Sequence, residues 1–181
     1  MTTILGLAGS LRRASYNRGL LRAAAEVAPA GITIELGSID DVPLYNGDLE
    51  DAEGLPASVQ RLQGQLRDAD ALLLVTPEYN GGIPGVFKNA IDWMSRGEGL
   101  AHFREKPVAV IGASPGGFGT ILSQNHWNQV LRRLNTQPWF GGQVMVSRAG
   151  THFDAERNLV SEDLRVQLAT FLDGFAASYR K

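Results

Sequence analysis

The chain contains no cysteine. That absence excludes a disulfide framework, a cysteine-ligated zinc or iron–sulfur site and any thiol nucleophile. Charge of one sign is also scarce. Lys and Arg number 17 against 19 Asp and Glu, a formal net charge of −2, which argues against a general binder of nucleic acid or other polyanions. No apolar run approaches the ~18 residues of a membrane span. The opening MTTILGLAGSLRRAS has no basic flank before its apolar stretch, so no secretory signal is expected and a cytoplasmic location is. His102, His126 and His152 show no metal-ligand spacing, and no metal site is expected. No acidic pair is spaced for general acid–base work. What remains is 181 residues, 44% of them hydrophobic, with 21 Gly. That length predicts one domain over residues 1–181, large enough to bury about 70% of its unfolded surface without a covalent staple.

Apolar runs alternate with helical periodicity from end to end. Ile4–Ala8, Ala71–Val75 and Val108–Ile111 are short and continuous, as strands covered on both faces must be. Ile32–Leu36 alternates, and Val144–Val146 makes a fifth run. Between them Leu20/Leu21/Ala24/Val27, Val59/Leu62/Leu66, Phe87/Ala90/Ile91/Met94, Trp127/Val130/Leu131/Leu134 and Leu164/Leu168/Phe171/Leu172/Phe175 recur at helical spacing. The pattern predicts a βαβ series of five strands and five helices, an α/β parallel sheet covered on both faces. Residues 40–56 and 97–106 read as long irregular connections. Trp93, Trp127 and Trp139 read as core or subunit-interface residues. In such sheets ligands sit beyond the carboxyl ends of the strands, at the switch point, so the loops after the first, third and fourth strands hold the chemistry.

The first loop runs from Gly9 to Arg18 and combines Ser10, Arg12, Ser15 and Asn17 with the start of a helix. Hydroxyl and amide donors, a guanidinium and free helical N–H groups suit a phosphate; the same residues also suit a plain helix cap with solvated arginines. No Walker lysine and no Gly-x-Gly-x-x-Gly is present, which points to a mononucleotide such as FMN rather than a dinucleotide. The second loop, Pro77–Gly85, offers Tyr79 and the Gly81-Gly82 turn, either a platform for a flat aromatic ligand or a tight turn with a surface tyrosine. The third, Gly112–Thr120, matches Gly-x-Ser-x-Gly. Pro115 removes the oxyanion N–H, the helix does not start at Ser114, and no acid stands between Ser114 and His152. These three features count against a hydrolase, and a glycine-rich approach to a planar ligand fits the loop better.

Three segments carry a resemblance. Thr76–Arg96, TPEYNGGIPGVFKNAIDWMSR, is similar to the signature of the NAD(P)H-dependent FMN reductase family, which includes quinone, chromate and azo-dye reductases. Gly9–Asn17 resembles that family's phosphate loop, and Val42–Asn46 its short motif after the second strand. Ala14 and Thr120 stand where the family often has glycine. The resemblance implies a flavodoxin-like three-layer sandwich with strand order 2-1-3-4-5. It implies that Ser10, Arg12, Ser15, Tyr16 (through its backbone) and Asn17 hold the FMN phosphate. Pro77, Glu78, Tyr79 and Asn80, with Gly81 at the turn, would line the ring, and Ser114, Gly116 and Gly117 its other edge. Hydride would pass from NAD(P)H through FMN to a small acceptor, with no catalytic side chain, in a homodimer or homotetramer. The rival expectation is a non-enzymatic flavodoxin-type electron carrier.

Overall fold

The computed structural model describes residues 2–179; the expected domain bounds of 1–181 run past these at both ends. The elements are β1 (Thr2–Ala8), α1 (Tyr16–Glu26), β2 (Ile32–Gly37), α2 (Gly47–Glu53), α3 (Ala57–Asp68), β3 (Ala71–Val75), α4 (Gly85–Met94), α5 (Gly99–Phe103), β4 (Pro107–Ala113), α6 (Ile121–Arg133), β5 (Gln137–Pro138), β6 (Met145–Val146) and α7 (Glu162–Ala177), with a 3-10 turn at Ala149–Thr151. All paired strands are parallel, in the order β2-β1-β3-β4-β5, with β6 also on β4. The expected flavodoxin-like order is what the chain adopts.

The two-faced apolar runs work because successive side chains point to opposite faces. Ile4, Leu73, Val75, Ala109 and Ile111 meet α1 and α7 through Leu20, Ala24, Leu168 and Leu172. Leu5, Leu7, Leu72, Leu74 and Val108 meet α3, α4 and α6 through Leu62, Leu66, Phe87, Ile91, Trp127 and Leu131. Each buried leucine contributes about 1.5–3 kcal/mol relative to exposure. Trp93 and Trp127 are fully buried, as expected of core residues, and Trp139 is partly buried against Phe171, ring centroids 5.0 Å apart.

Two expectations are corrected. The fifth strand is not one run at Val144–Val146 but two short pieces on the same edge of β4. Trp139 N–H donates to Val108 O at the lower end and Gly112 N–H to Val144 O at the upper end, both even-numbered positions, whereas odd-numbered Ile111 accepts from Thr76 beside β3. Pro138 lacks an N–H, and Gly141-Gly142 let the chain swing around the Trp139 ring, so the strand cannot run through. Residues 40–56 and 97–106 also contain helices, α2 and α5. Neither shows in the sequence because α2 buries no side chain and α5 is a single turn. Polar bonds hold α2 instead: Asn46 Oδ1 accepts from Asp48 N–H at 3.0 Å, and Glu50 pairs with the distant Arg96 at 2.8 Å.

Candidate active site

The carboxyl ends of β1, β3 and β4 open on one cleft of about 300 Å³. Ser10, Arg12, Ala14, Ser15, Tyr16 and Asn17 form its first wall, Pro77, Glu78 and Tyr79 its second, and Ala113, Ser114 and Pro115 its third. Three loops read separately in the sequence therefore meet. Asn80 and Gly81, next to Tyr79, and Gly116 and Gly117, next to Pro115, stand outside this wall. The Val42–Asn46 motif lies elsewhere: Pro43 O accepts from Asn89 Nδ2 at 2.8 Å and Trp93 Nε1 at 3.0 Å, which docks the motif on α4.

The first wall is built around the start of α1. Ser15 is its N-cap, with Oγ accepting from Arg18 N–H at 3.3 Å. Helix geometry leaves the N–H groups of Tyr16 and Asn17 with no partner in α1, at the positive end of its dipole. Ser10 is buried, and its Oγ accepts from Arg12 N–H at 3.3 Å. Both hydroxyls accept internally and so keep their hydrogens to donate. Arg18 Nε donates to Ser10 O at 2.9 Å and its guanidinium pairs with Asp40, which steadies the loop from behind. Arg12 is exposed, and its guanidinium makes no ion pair among the described residues. Asn17 does something its sequence position did not suggest. Its Nδ2 donates to Ala113 O at 2.8 Å and its Oδ1 accepts from Ala113 N–H at 2.9 Å, so its side chain fastens the first wall to the third.

The second wall is a tight hairpin. Tyr79 and Gly82 exchange backbone bonds of 3.1 and 3.0 Å. Asn80 and Gly81 both carry positive φ, 51° and 73°, as the Asn-Gly pair of a type I′ turn does. The turn leaves Tyr79 half exposed beside the cleft. The carboxylate of Glu78 is engaged: Oε2 accepts from the N–H groups of Leu122 and Ser123 at 2.9 and 3.1 Å. It caps α6, whose own N-cap Thr120 makes no side-chain cap bond. Below, Thr76 Oγ1 donates to Pro77 O at 2.8 Å and accepts from Trp127 Nε1 at 3.1 Å.

The third wall is held by β6 and the turn after it. Ser114 N–H donates to Val146 O and Ser114 O accepts from Ala149 N–H, at 2.9 and 3.0 Å. Ser114 Oγ accepts from Gly116 N–H at 3.1 Å. Gly116 and Gly117 are exposed, with open space around the latter's missing Cβ.

One end of the cleft thus offers hydroxyl donors, helical N–H groups and a cation, and the other offers a tyrosine and backbone, with the glycine turn just beyond it. This layout suits a molecule with a phosphate at one end and a flat ring at the other. A parallel sheet with such a cleft at its switch point defines a mononucleotide-binding protein of the flavodoxin-like class.

Comparison with known proteins narrows the class. Residues 2–151 match the model of the NADPH-dependent FMN reductase family. The chain is 46% identical over 162 residues to an NAD(P)H-dependent FMN reductase of Pseudomonas aeruginosa, covering 90% of this chain and 86% of that one. It is 40% identical over 172 residues to a 2-hydroxy-1,4-benzoquinone reductase of a Burkholderia species, covering 95% and 93%. Among solved structures it is similar to the flavoenzyme NAD(P)H:(acceptor) oxidoreductase of Paracoccus denitrificans, with TM-score 0.86, 34% identity, and 98% and 96% of the two chains covered. The chain belongs to the NADPH-dependent FMN reductase family. It is an oxidoreductase, with FMN as cofactor and NAD(P)H as electron donor.

Proposed function

We propose that this oxidoreductase passes electrons from NAD(P)H through FMN to a small quinone-class acceptor, as a single domain in the cytoplasm that assembles as a homodimer or homotetramer. The carrying observation is the convergence of the three loops on one cleft with a donor-rich end and an aromatic end. In this reading Ser10, Arg12, Ser15 and the first-turn N–H groups of Tyr16 and Asn17 take the phosphate. Pro77, Glu78, Tyr79, Asn80 and Gly81 border the ring on one side, and Ser114, Gly116 and Gly117 on the other. When bound, FMN supplies the hydride chemistry, and the protein's part is to bind, orient and leave access. The serine hydroxyls donate, Arg12 neutralises charge, and the exposed rims of the second and third walls, at Tyr79 and Pro115, leave room for donor and acceptor in turn. No side chain need carry a proton.

Quinones are favoured over free flavin, chromate or azo compounds because relatives at 38–40% identity bear quinone reductase names. Among the described residues no helix is long and apolar enough to cross a membrane. The test is the visible spectrum of FMN-reconstituted protein without oxygen, before and after NADPH or NADH. Bleaching by either, followed by recovery with benzoquinone faster than with chromate or an azo dye, is expected. Bound flavin that neither nucleotide bleaches would return the chain to the electron-carrier reading. Light scattering during gel filtration checks the assembly.

A further inference from the structure

Beyond residue 151, where the family match ends, the chain returns to the cleft. Phe153 and Leu159 form an antiparallel bridge, and the turn between them carries Arg157. The turn is braced from within and from below. Asp154 accepts from Asn158 N–H at 2.7 Å and Asn158 Nδ2 at 3.1 Å. Arg157 O accepts from Arg22 Nη2 at 3.0 Å and lies so close to Gly19 that a Cβ there would collide with it. Arg157 has φ +66°, a conformation that favours glycine, yet an arginine occupies it.

Its side chain explains the choice. Nε donates to Ala14 O at 3.1 Å, Nη1 donates to Asp154 O at 3.1 Å, and the guanidinium carbon lies 4.4 Å from the centroid of the Tyr16 ring. Ala14 and Tyr16 line the cleft and flank Ser15, the cap of α1. One planar group therefore grips the first wall on both sides of its cap, by a hydrogen bond on one side and a cation–π contact on the other. It makes no ion pair among the described residues.

We propose that Arg157 is a positioning residue for the flavin phosphate, holding Ala14–Tyr16 in an anion-binding shape from a segment outside the family-matched region. The inference rests on the reading of Ser10–Asn17 as the phosphate site. Dissociation constants of FMN and of riboflavin, which lacks only the phosphate, are measured for wild type, Arg157→Ala and Arg157→Lys. Arg157→Ala is expected to weaken FMN by about tenfold, the scale of one charge-assisted bond, and to leave riboflavin nearly unchanged. Arg157→Lys is expected to recover only part of the loss, because an ammonium cannot stack and donate as a planar fork does. A merely structural role would weaken both flavins alike. A wild-type ratio of FMN to riboflavin affinity in Arg157→Ala overturns the proposal. If that variant does not fold, the ratio in Arg157→Lys decides: a reduced ratio supports the proposal and a wild-type ratio overturns it. A wild-type protein with no preference for FMN removes the phosphate reading itself, a failure distinct from that of Arg157.

Discussion

The two ends of the cleft use their polar residues in opposite ways. At the α1 end Ser10 and Ser15 accept hydrogen bonds inside the protein and keep their hydrogens, while Arg12 is exposed and, among the described residues, without an ion pair. At the hairpin end Glu78 is turned away to cap α6, and the Asn-Gly pair is occupied in making a turn. In the proposed reading one end recognises by charge and donors, the other by shape. A localised anion needs directed donors. A ring needs a surface and an approach, and backbone with a tyrosine supplies both.

This contrast can be broken or sharpened by substitution. The largest effect is expected from Asn17→Ala, which strips two buried bonds and leaves the Ala113 N–H and C=O without partners. A loss of about 2–4 kcal/mol in urea unfolding is expected, with flavin binding lost as the first and third walls part. Next, Arg12→Ala should weaken FMN binding by about 1.5–3 kcal/mol with unchanged stability; titration of flavin fluorescence checks it, and wild-type affinity would remove Arg12 from the charged end. Glu78→Ala should do the reverse, lowering stability by about 1 kcal/mol through the lost cap while FMN affinity changes little, since the carboxylate is held at α6 and the backbone that would border the ring is kept. Differential scanning calorimetry beside flavin titration separates the two, and Glu78→Gln, which keeps one acceptor oxygen, should recover most of the loss.

The smallest effect is expected at Asp154. Hydrogen bonds from Asn158, the backbone N–H foremost, hold its carboxyl below the usual carboxylate range. A folded-state pKa below the unfolded one adds stability above the unfolded value, and that increment fades as pH falls through the folded value. The small drop in Tm caused by Asp154→Asn should therefore be constant near neutrality and shrink below about pH 4. A difference that grew on acidification would reverse the assignment.

Much of this was legible in the sequence. The runs around Leu5, Leu73 and Ala109 announced strands because both their faces are covered, and continuous apolarity is what two covered faces require. The candidate loops could be named because they follow those strands. The broken fifth strand was hidden, since two residues at Gln137–Pro138 leave no period to read. The internal duties of Asn17 and Glu78 were hidden for another reason. Their partners lie 96 and 44 residues away, and type and spacing alone cannot tell a side chain facing a ligand from one facing another loop. Arg157 was hidden most completely, as its partner Ala14 is 143 residues distant.

Those separations bear on how the protein is made. The loop from Ser10 to Asn17 is synthesised well before its fastening at Ala113 and its brace at Arg157. A nascent chain that stops short of Ala113 has the serines and Arg12 but neither of these two partners. Domains generally fold as units during synthesis, so in the proposed reading cofactor capture waits until Arg157 has been made, and a ribosome stalled before it would present a chain without a finished pocket.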